Sequence, residues 1–539
     1  MSFTAAFRVD AGGVVGLGHA ARSMALAKEL IRAGARVVWF SRKMPAELVA
    51  ALVSLGIELH IMRPASLSSS ETPPAAAPPP EEPWREDAHQ TLQYLEKTHG
   101  PVDLVVVDHY GLDARWERLV RRIAPVLAFD DFPHRPHACD LLVDPTPGRT
   151  PEAYASLTPP GCRVLTGPGY APVDPEFARW RLPSVARRLV YRPEGPEAPG
   201  PARRPVHPRP VRRVLVSFGG ADAGNETAKA VAALAKCGYQ GQVDVVLHAA
   251  LFPRPTWWEL LEAALPTARL HLSPPSLLPL MLSADLAVGA AGSTSWERCT
   301  LGLPAVVWST APNQRDVARA LADAGAAVHL GESGRVCAGA LAETLKALLV
   351  DGERLRQMAA SAAALCDGLG AARLALQLLP ERAKDGGAVT LRRAEPADRD
   401  LLYQWQAHPS TRRYARNPRP PAYEEHCRWF EARLRDPGCV FHFIEHDGAP
   451  CGVLRLDAME PPGAFEISIL IAPESKRRGI ARAALAAIRR LLPWATLHAW
   501  VHPENTASQR LFESAGFHQV EGHYVSPPPA SPGGKVQDQ

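Results

Sequence analysis

Short apolar segments alternate with helical patterns along the first 380 residues, and this alternation limits the folds open to the chain. The apolar segments form two series, residues 37–40, 104–107, 126–129 and 141–143, then residues 214–218, 243–247, 286–288, 305–308 and 327–330. Strands that alternate with helices pair in parallel and are covered by helices on both faces. The sequence therefore predicts an α/β fold with two Rossmann-like lobes, with a ligand cleft at the carboxyl ends of the strands.

The first helix of this pattern follows a glycine-rich run that ends in Gly18 and His19. Its predicted apolar stripe consists of Ala20, Met24, Ala27 and Ile31. Glycine lets the backbone approach a ligand closely, and histidine exchanges a proton near neutral pH. The run is either a glycine-rich turn with a capping histidine or part of a catalytic site.

Changes of composition divide the 539-residue chain, which is too long for a single core. Residues 66–83 are rich in Ser, Pro and Ala and are predicted to form a surface loop, and a further break lies at residues 381–387. The predicted organisation is an N-terminal lobe, a proline-rich linker, a C-terminal lobe, a further domain and a disordered tail, over residues 1–190, 191–210, 211–380, 388–524 and 525–539.

The charge and cysteine content narrow the class of partner. A net charge of +4 and a pI near 8.6, without a basic stripe, do not favour nucleic acid as a ligand, and a small anion is the expected partner. The nine cysteines lack the paired spacing of zinc sites, so we predict reduced thiols and no metal. Without a signal-peptide pattern or an apolar run of membrane-spanning length, the protein is predicted to be cytoplasmic and not membrane-bound.

Two glycine-rich turns follow strands of the second series. Gly219 and Gly220 form the first turn, and residues 289–297 form the second. The hydroxyl side chains of the second turn could cap a helix whose free N–H groups bind a diphosphate, and Glu297 could then accept from a ribose diol. The alternative is a capping box followed by a solvated glutamate.

Several spaced motifs of the large module occur in the order found in a known family. They lie at residues 8–22, 107–113, 116–117, 129–131, 139–144, 217–220, 292–298, 302–304 and 313–314. On these motifs, residues 7–380 resemble the UDP-sugar hydrolases of pseudaminic acid biosynthesis, which are similar to MurG-type glycosyltransferases. The resemblance implies the two-lobed GT-B arrangement.

This resemblance also implies an enzyme that hydrolyses UDP-2,4-diacetamido-2,4,6-trideoxy-β-L-altropyranose to UDP and free sugar without a metal. His19 would act as general base on water. Asp10 or Asp108 would orient His19 or bind the sugar amides, or either one would only cap a strand end. Arg22 and helix N-termini would stabilise the departing UDP. The residues implied to bind the substrate are Gly18, Arg22, Asp108, Tyr110, Gly219, Gly220, Gly292, Ser293, Thr294, Ser295, Glu297, Asn313 and Gln314.

Two other functions remain open for the large module. A GT-B glycosyltransferase would use the same UDP site and base with a sugar acceptor in place of water. A protein that only binds nucleotide sugars would not need His19. The sequence leaves the oligomeric state and the configuration of the sugar open.

Residues 388–524 resemble the GNAT N-acetyltransferases, whose pyrophosphate loop reads Q/R-x-x-G-x-G/A before a helix. Lys476 takes the first position of that loop here. The resemblance implies an α+β domain, with acetyl-CoA as co-substrate. It also implies acetylation of the 4-amine of the UDP-amino sugar precursor, although an unrelated amine remains an alternative. The residues implied to bind acetyl-CoA are Lys476, Arg477, Arg478, Gly479, Ile480, Ala481, Asn505 and Ser508.

The catalytic groups of this segment are less evident, because Phe512 stands where many GNAT enzymes have a tyrosine that acts as general acid. Glu466 is predicted to draw a proton from the amine through water, or it is an exposed strand carboxylate. Candidates for the missing acid are Tyr403, Tyr414, Tyr423 and Tyr524.

Overall fold

The computed structural model describes residues 3–12, 17–62, 83–97, 101–189, 210–220, 222, 224–249, 258–259, 262–263 and 265–529. The chain divides into two compact units, Met1–Phe177 with His207–Ala371, and Ala178–Val206 with Ala372–Gln539. The first unit holds most of both predicted lobes, and the second holds the predicted GNAT segment together with residues 178–189 and 372–380 of the predicted lobes. Most of the loop at residues 66–83 and of the linker at residues 191–210 lies outside the described residues.

The first lobe is a seven-stranded sheet with the order β3-β2-β1-β4-β5-β6-β7, in which all neighbours are parallel. Its strands are β1 Thr4–Val9, β2 Arg36–Ser41, β3 Glu58–Ile61, β4 Leu104–Asp108, β5 Val126–Phe129, β6 Leu141–Asp144 and β7 Arg163–Thr166. The helices are α1 Gly18–Arg32, α2 Ala46–Ser54, α3 Pro83–Lys97 and α4 Ala114–Val120, followed by α5 Pro175–Leu189.

The second lobe is a six-stranded parallel sheet with the order β10-β9-β8-β11-β12-β13. Its strands are β8 Arg213–Ser217, β9 Gln242–Leu247, β10 Ala268–Leu272, β11 Leu286–Ala290, β12 Ala305–Ser309 and β13 Ala327–Glu332. The helices are α6 Glu226–Lys236, α7 Leu278–Ser283, α8 Thr294–Thr300, α9 Arg315–Asp323, α10 Ala338–Val350, α11 Gly352–Leu365 and α12 Gly370–Leu378.

The strand order reverses once in each of these sheets, between β1 and β4 and between β8 and β11. At such a switch point the loops diverge beyond the carboxyl ends of the strands and leave a crevice. The loops after β1, β4, β8 and β11 carry most of the residues expected in the site. The prediction of two Rossmann-like lobes in a GT-B fold is confirmed.

Helix α1 forms as predicted, but its buried face is rotated from the predicted stripe. Ala20 and Ala27 are buried, whereas Met24 and Ile31 are only half-buried. The buried face also takes in Ser23, Leu26 and Leu30. The helix therefore turns polar side chains toward β4, because they contact groups at the end of that strand.

The second unit contains an eight-stranded sheet with the order β14-β15-β16-β17-β18-β19-β21-β20. Its strands are β14 Glu381–Arg382, β15 Ala388–Arg393, β16 Cys439–His446, β17 Ala449–Met459, β18 Ala464–Ile471, β19 Thr496–Ala499, β20 His518–Val520 and β21 His523–Ser526. The helices are α13 Arg399–Ala407, α14 Pro409–Arg412, α15 Tyr423–Arg435, α16 Ile480–Leu491 and α17 Thr506–Ser514. Only the β18–β19 pair is parallel, so the α+β prediction for this segment is confirmed.

Two boundaries of the second unit differ from the sequence prediction. Glu381 and Arg382 pair with Val389 and Ala388, so the break predicted at residues 381–387 includes an edge strand of the sheet. Val525 and Ser526 pair with β19 and are not part of a disordered tail, because their backbone groups complete the ladder. Residues 530–539 lie outside the described residues.

The second unit also takes in residues from earlier in the chain and most of α12. Arg373 donates from Nε to His442 Nε2 at 2.9 Å, and both side chains are buried. Arg181, on α5, donates to the backbone carbonyl of Pro437. These bonds tie residues outside the predicted 388–524 domain into its structure.

One described stretch, Gly352–Leu378, is long and apolar enough by length and composition to cross a membrane. It covers α11 and α12, and 72% of its most apolar window is buried inside the structure. Buried core helices of soluble proteins meet the same criterion, so this stretch is weak support for a membrane span.

Candidate active site

The central pair of the first lobe is His19 with Asp108. His19 is the second residue of α1, and Asp108 is the last residue of β4. His19 Nδ1 lies 2.9 Å from Asp108 Oδ1, and both side chains are buried. Burial lowers the pKa of His19, but the Asp108 carboxylate outweighs burial, so the pKa is raised above its usual value. An Nδ1–H bond to the carboxylate leaves Nε2 as the proton-accepting atom of the ring.

Asp108 is held in place by α1. Arg22 donates from Nε and Nη2 to the two carboxylate oxygens, each at 2.7 Å, and Ser23 Oγ donates at 3.2 Å. Although burial opposes ionisation, Arg22 and His19 keep the pKa of Asp108 below its usual value. Arg22 Nη1 also donates to Asp131 at 2.8 Å, so Arg22 links the two carboxylates.

Tyr110 connects this cluster to the second lobe. Its hydroxyl donates to Asp131 and accepts from Asn313 Nδ2 at 2.9 Å. Its ring meets the His19 ring edge-on, with the centroids 4.5 Å apart. Tyr110 and Asn313 were both expected to bind substrate, and the structure brings them together, with the Tyr110 ring beside His19.

Asp10, the other carboxylate proposed to orient His19, is engaged elsewhere. It accepts from Arg8 Nη1 and from the Arg42 backbone N–H, each at 2.7 Å, and from Ser41 Oγ at 3.1 Å. Burial opposes its ionisation, but these donors and His109 hold the pKa of Asp10 far below its usual value. The expectation that Asp10 acts on His19 is therefore wrong, since Arg8 takes up both of its oxygens.

The glycine loops of the two lobes approach each other closely. A Cβ at Gly18 would lie 3.1 Å from Ser293 Oγ, and one at Gly220 would lie 3.0 Å from the Leu17 side chain. Gly219 has a φ of +83°, a conformation that favours glycine. Close approach of the two lobes thus depends on small residues at Gly18 and Gly220.

The second-lobe turn holds a buried carboxyl group. Glu297 Oε2 is buried and has no hydrogen-bond partner within the part of the chain that the structure describes. Burial, with a smaller effect of Asp174, raises the pKa of Glu297 to about 7. Buried polar atoms of native proteins are nearly always bonded, so an acceptor of this kind is suited to a ligand hydroxyl.

The neighbouring residues of this turn have different uses. Ser293 is the N-cap residue of α8 but its side chain makes no capping hydrogen bond, and Thr294 follows it half-buried. Ser295 Oγ accepts from Arg298 at 2.9 Å and is buried, which makes it structural. Gln314 Oε1 accepts from the backbone N–H of Thr310 at 2.9 Å.

Sequence reasoning gave no role to Asp131 or to the contact between Arg149 and Asp316. Asp131 lies within the motif at residues 129–131, and that motif was the feature of the sequence that could have identified it as a site residue. Arg149 Nη2 lies 3.1 Å from Asp316 Oδ2, which adds a second polar contact between the lobes. Nothing in the spacing of these residues indicates that they meet.

In the second unit, the loop before α16 is tightly folded. Arg477 and Gly479 have φ of +68° and +83°. Arg478 pairs with Asp385 at 2.7 Å, and Lys476 Nζ donates to Ser410 Oγ at 2.9 Å. Such a loop directs backbone N–H groups toward an anion at the start of a helix.

Four residues expected to bind acetyl-CoA take part in packing or in helix capping within the domain. Ile480 is buried in the core and Ala481 is half-buried on the same helix turn. Asn505 caps α17 by accepting from the Ser508 backbone N–H at 3.1 Å. Capping explains the Asn505 and Ser508 pair without a ligand.

Glu466 lies where β18 and β19 separate. The parallel pairing of these strands ends at Glu466 and His498, while β18 continues to Ile471. Glu466 forms an ion pair with Arg416, whose guanidinium lies 5.0 Å from the centre of the Trp500 ring. The carboxylate is therefore engaged by a cation and is not a solvated strand residue.

Among the tyrosine candidates, the structure links Tyr414 to this cluster. Tyr414 packs on His502 with ring centroids 5.5 Å apart, and His502 packs on Trp500. Tyr403 and Tyr423 pack on each other elsewhere. Phe512 is buried against Phe517, and Tyr524 lies beside it.

Comparison with known proteins agrees with both parts of this picture. Residues 388–518 match the family model described as an acetyltransferase (GNAT) domain. The C-terminal segment is a GNAT domain. Its solved relatives include the ribosomal L7/L12 alpha-N-protein acetyltransferase RimL in complex with coenzyme A, at 16% identity over 26% of this chain and 96% of that chain, with a TM-score of 0.24.

The large module matches a curated hydrolase over a short stretch. The UDP-2,4-diacetamido-2,4,6-trideoxy-beta-L-altropyranose hydrolase of Campylobacter jejuni is 35% identical over 77 residues, which is 14% of this chain. The chain thus spans 28% of the length of that relative. The solved MurG of Acinetobacter baumannii covers 70% of this chain and 99% of its own, with 17% identity and a TM-score of 0.47. The resemblance of the two parts to these families is confirmed.

Proposed function

We propose that the first unit is a UDP-sugar hydrolase of the pseudaminic acid type, acting on UDP-2,4-diacetamido-2,4,6-trideoxy-β-L-altropyranose. The ordered motifs of the large module and the curated hydrolase match support the substrate class. The observation that carries the proposal is the 2.9 Å contact of His19 Nδ1 with the ionised Asp108. It gives one basic ring nitrogen a fixed direction at the switch point of the first lobe.

In the proposed reaction, His19 Nε2 accepts a proton from water as the water oxygen attacks the anomeric carbon. The bond between that carbon and the UDP oxygen breaks, and UDP leaves with the bonding electrons. Asp108 stabilises the imidazolium that forms, as a buried carboxylate does in other histidine-based sites. UDP is a good leaving group, so charge stabilisation suffices and no acid is assigned to it.

Nucleotide binding is proposed for the second lobe. The unpartnered Glu297 oxygen would accept a hydroxyl of the ribose, while the Gly219–Gly220 turn would allow the backbone to approach the diphosphate. Arg22 is not part of this site because Asp108 and Asp131 engage it. The arrangement needs no metal for the step assigned to His19.

The test is UDP release from this substrate by the purified chain, in buffer with a chelator and without a sugar acceptor, with the product followed by NMR. Free sugar would support the hydrolase. Turnover only after an acceptor is added would make the first unit a glycosyltransferase. The absence of turnover in both conditions would contradict the proposed substrate.

The pH dependence of UDP release follows from the raised pKa of His19. The ring must be neutral to accept a proton, so the rate should fall as the pH drops through that pKa. We expect the midpoint of this acidic limb to lie above 6.5, the ordinary histidine value. A rate profile of kcat against pH checks this, and a midpoint well below that value would contradict the Asp108 effect.

For the second unit we propose acetyl transfer from acetyl-CoA to the 4-amine of the UDP-amino sugar precursor. The family match supports acetyl transfer, and the supply of an acetylated sugar to the hydrolase supports this amine. Glu466, at the fork of β18 and β19, would receive the amine proton through water once the acceptor displaces Arg416. A cytoplasmic location belongs to this proposal, because both substrates are charged and water-soluble.

Tyr414 is proposed as the acid that protonates the leaving thiolate of CoA. Replacing it by phenylalanine should lower kcat for acetyl transfer by roughly a hundredfold, the lower range for loss of a general acid. Tyr403→Phe is the matched control, because Tyr403 packs on Tyr423 and not on His502. Thiol release measured with acetyl-CoA and the amino sugar checks this, and equal rates for both variants would exclude Tyr414.

A further inference from the structure

Two cysteines outside the proposed site lie side by side at the start of neighbouring strands. Cys139 precedes β6 and Cys162 immediately precedes β7. Their Sγ atoms are 3.8 Å apart. Cys139 is fully buried, whereas Cys162 is half-buried and thus reachable from solvent. The pair therefore combines an accessible thiol with a sheltered one.

The polar groups around Cys139 do not favour a metal. Glu117, His137 and Cys139 have donor atoms within 4.8 Å of one another, a spacing compatible with an ion. However, His137 bonds Glu117 at 2.8 Å and Asp130 at 3.2 Å through its two ring nitrogens, and the second Glu117 oxygen accepts from the Ala138 backbone. A metal would have to break these bonds, so the group is an ion-pair cluster.

The same surroundings distinguish the two thiols. Burial alone would lower the pKa of His137, but Asp130 and Glu117 raise it to about 9, so its ring is a cation. The hydrogen bond from Cys139 lowers the pKa of Cys162, with a smaller contribution from His137. Reactivity of a cysteine follows its thiolate fraction and exposure, and both single out Cys162.

We propose that Cys162 and Cys139 form a reversible oxidation site that hydrogen peroxide closes to a disulfide. Cys162 thiolate attacks one peroxide oxygen, the O–O bond breaks and water forms with a proton from solvent, which leaves a sulfenic acid on Cys162. Cys139 then attacks that sulfur, the S–O bond breaks and a second water leaves. The two thiols lose two protons and two electrons in total, which reduce one peroxide to two waters.

The two sulfur atoms need to move only a short distance in the second step. The sulfurs must close from 3.8 Å to ~2.05 Å, which side-chain rotation of the half-buried partner can supply. The bridge would close the segment that carries Asp144 and Arg149. It would form at the amino ends of the strands, whereas Asp108 lies at a carboxyl end, so UDP release is expected to change by less than about twofold.

The test uses the full reduced chain, treated with hydrogen peroxide under native conditions, alkylated and mapped by peptide mass spectrometry. We expect a cross-link between the Cys139 and Cys162 peptides that dithiothreitol reverses, with the loss of two thiols from this pair. Cys337 is the internal control, since it is exposed and should proceed to sulfinic and sulfonic acids without a bridge to Cys139 or Cys162.

Two variants test the order of the two steps, and a third is a control. Cys139→Ser should leave a sulfenic acid on Cys162 that dimedone traps, whereas Cys162→Ser should leave Cys139 unoxidised. Cys237→Ser should cross-link as the parent chain does. In the parent chain, Cys162 that stays reduced while Cys337 is oxidised, or that proceeds to sulfinic acid without the bridge, would overturn the proposal.

Discussion

Replacing His19 with asparagine is expected to abolish UDP release while UDP binding and acetyl transfer remain. Asparagine fills part of the same space, but its side chain cannot accept a proton from water near neutral pH. Loss of a general base costs roughly 10²- to 10⁴-fold in rate. The measurement is UDP release under substrate saturation, with UDP affinity determined by calorimetry on the same preparation.

His60→Asn is the matched control for this variant. His60 lies on the edge strand β3 and pairs with Glu58, away from the loops after β1 and β4. It should keep the parent rate. A His19→Asn protein that releases UDP at the parent rate would remove the base from the mechanism, whereas loss of both UDP binding and turnover would point to misfolding.

Replacing Asp108 with asparagine should have an effect of similar size through a different route. The amide keeps the shape but removes the charge that fixes the Nδ1–H tautomer of His19, and the same change lowers kcat by roughly 10⁴-fold in a comparable pair. Because the carboxylate raises the pKa of His19, its loss should also move the acidic limb of the rate profile to lower pH. Residual activity measured against pH checks both effects.

The Asp10→Asn variant tests whether the effect of Asp108→Asn comes from the contact with His19 or from the loss of a buried ion pair in general. Asp10 is also buried and paired with an arginine, so its amide variant suffers a comparable loss of an ion pair. It does not contact His19, and the acidic limb should stay in place. If both variants shift the limb equally, Asp108 has no special role in setting the pKa of His19.

The fold was largely predictable because it depends on the alternation of apolar segments with helical patterns. A wrong assignment at a single residue does not change that alternation. Helix α1 shows what such a pattern cannot predict. Its existence follows from the pattern, but its buried face is set by Ser23 and Arg22, which are polar and reach Asp108. A stripe of apolar residues cannot show that a helix turns polar side chains inward.

The sequence predicted which loops form the candidate site better than it predicted which side chains in those loops contact each other. His19 follows from its place after β1, whereas the choice between Asp10 and Asp108 depends on where Arg8 and Arg22 reach. Arg8 lies on β1 and Arg22 on α1, and sequence spacing alone does not show which carboxylate each one reaches. The Tyr110 contact with Asn313 depends on the approach of one lobe to the other, which a sequence pattern does not contain.

The second unit is built from two separate stretches of chain, and this limits where the gene can be divided. A fragment that begins at residue 388 would lack Arg373, and would leave the fully buried His442 ring without its guanidinium partner. It would also lack β14 and the α5 residue Arg181. A single cut between the two coding regions therefore cannot yield an intact acetyltransferase, and dissecting the activities calls for point substitutions in the whole polypeptide.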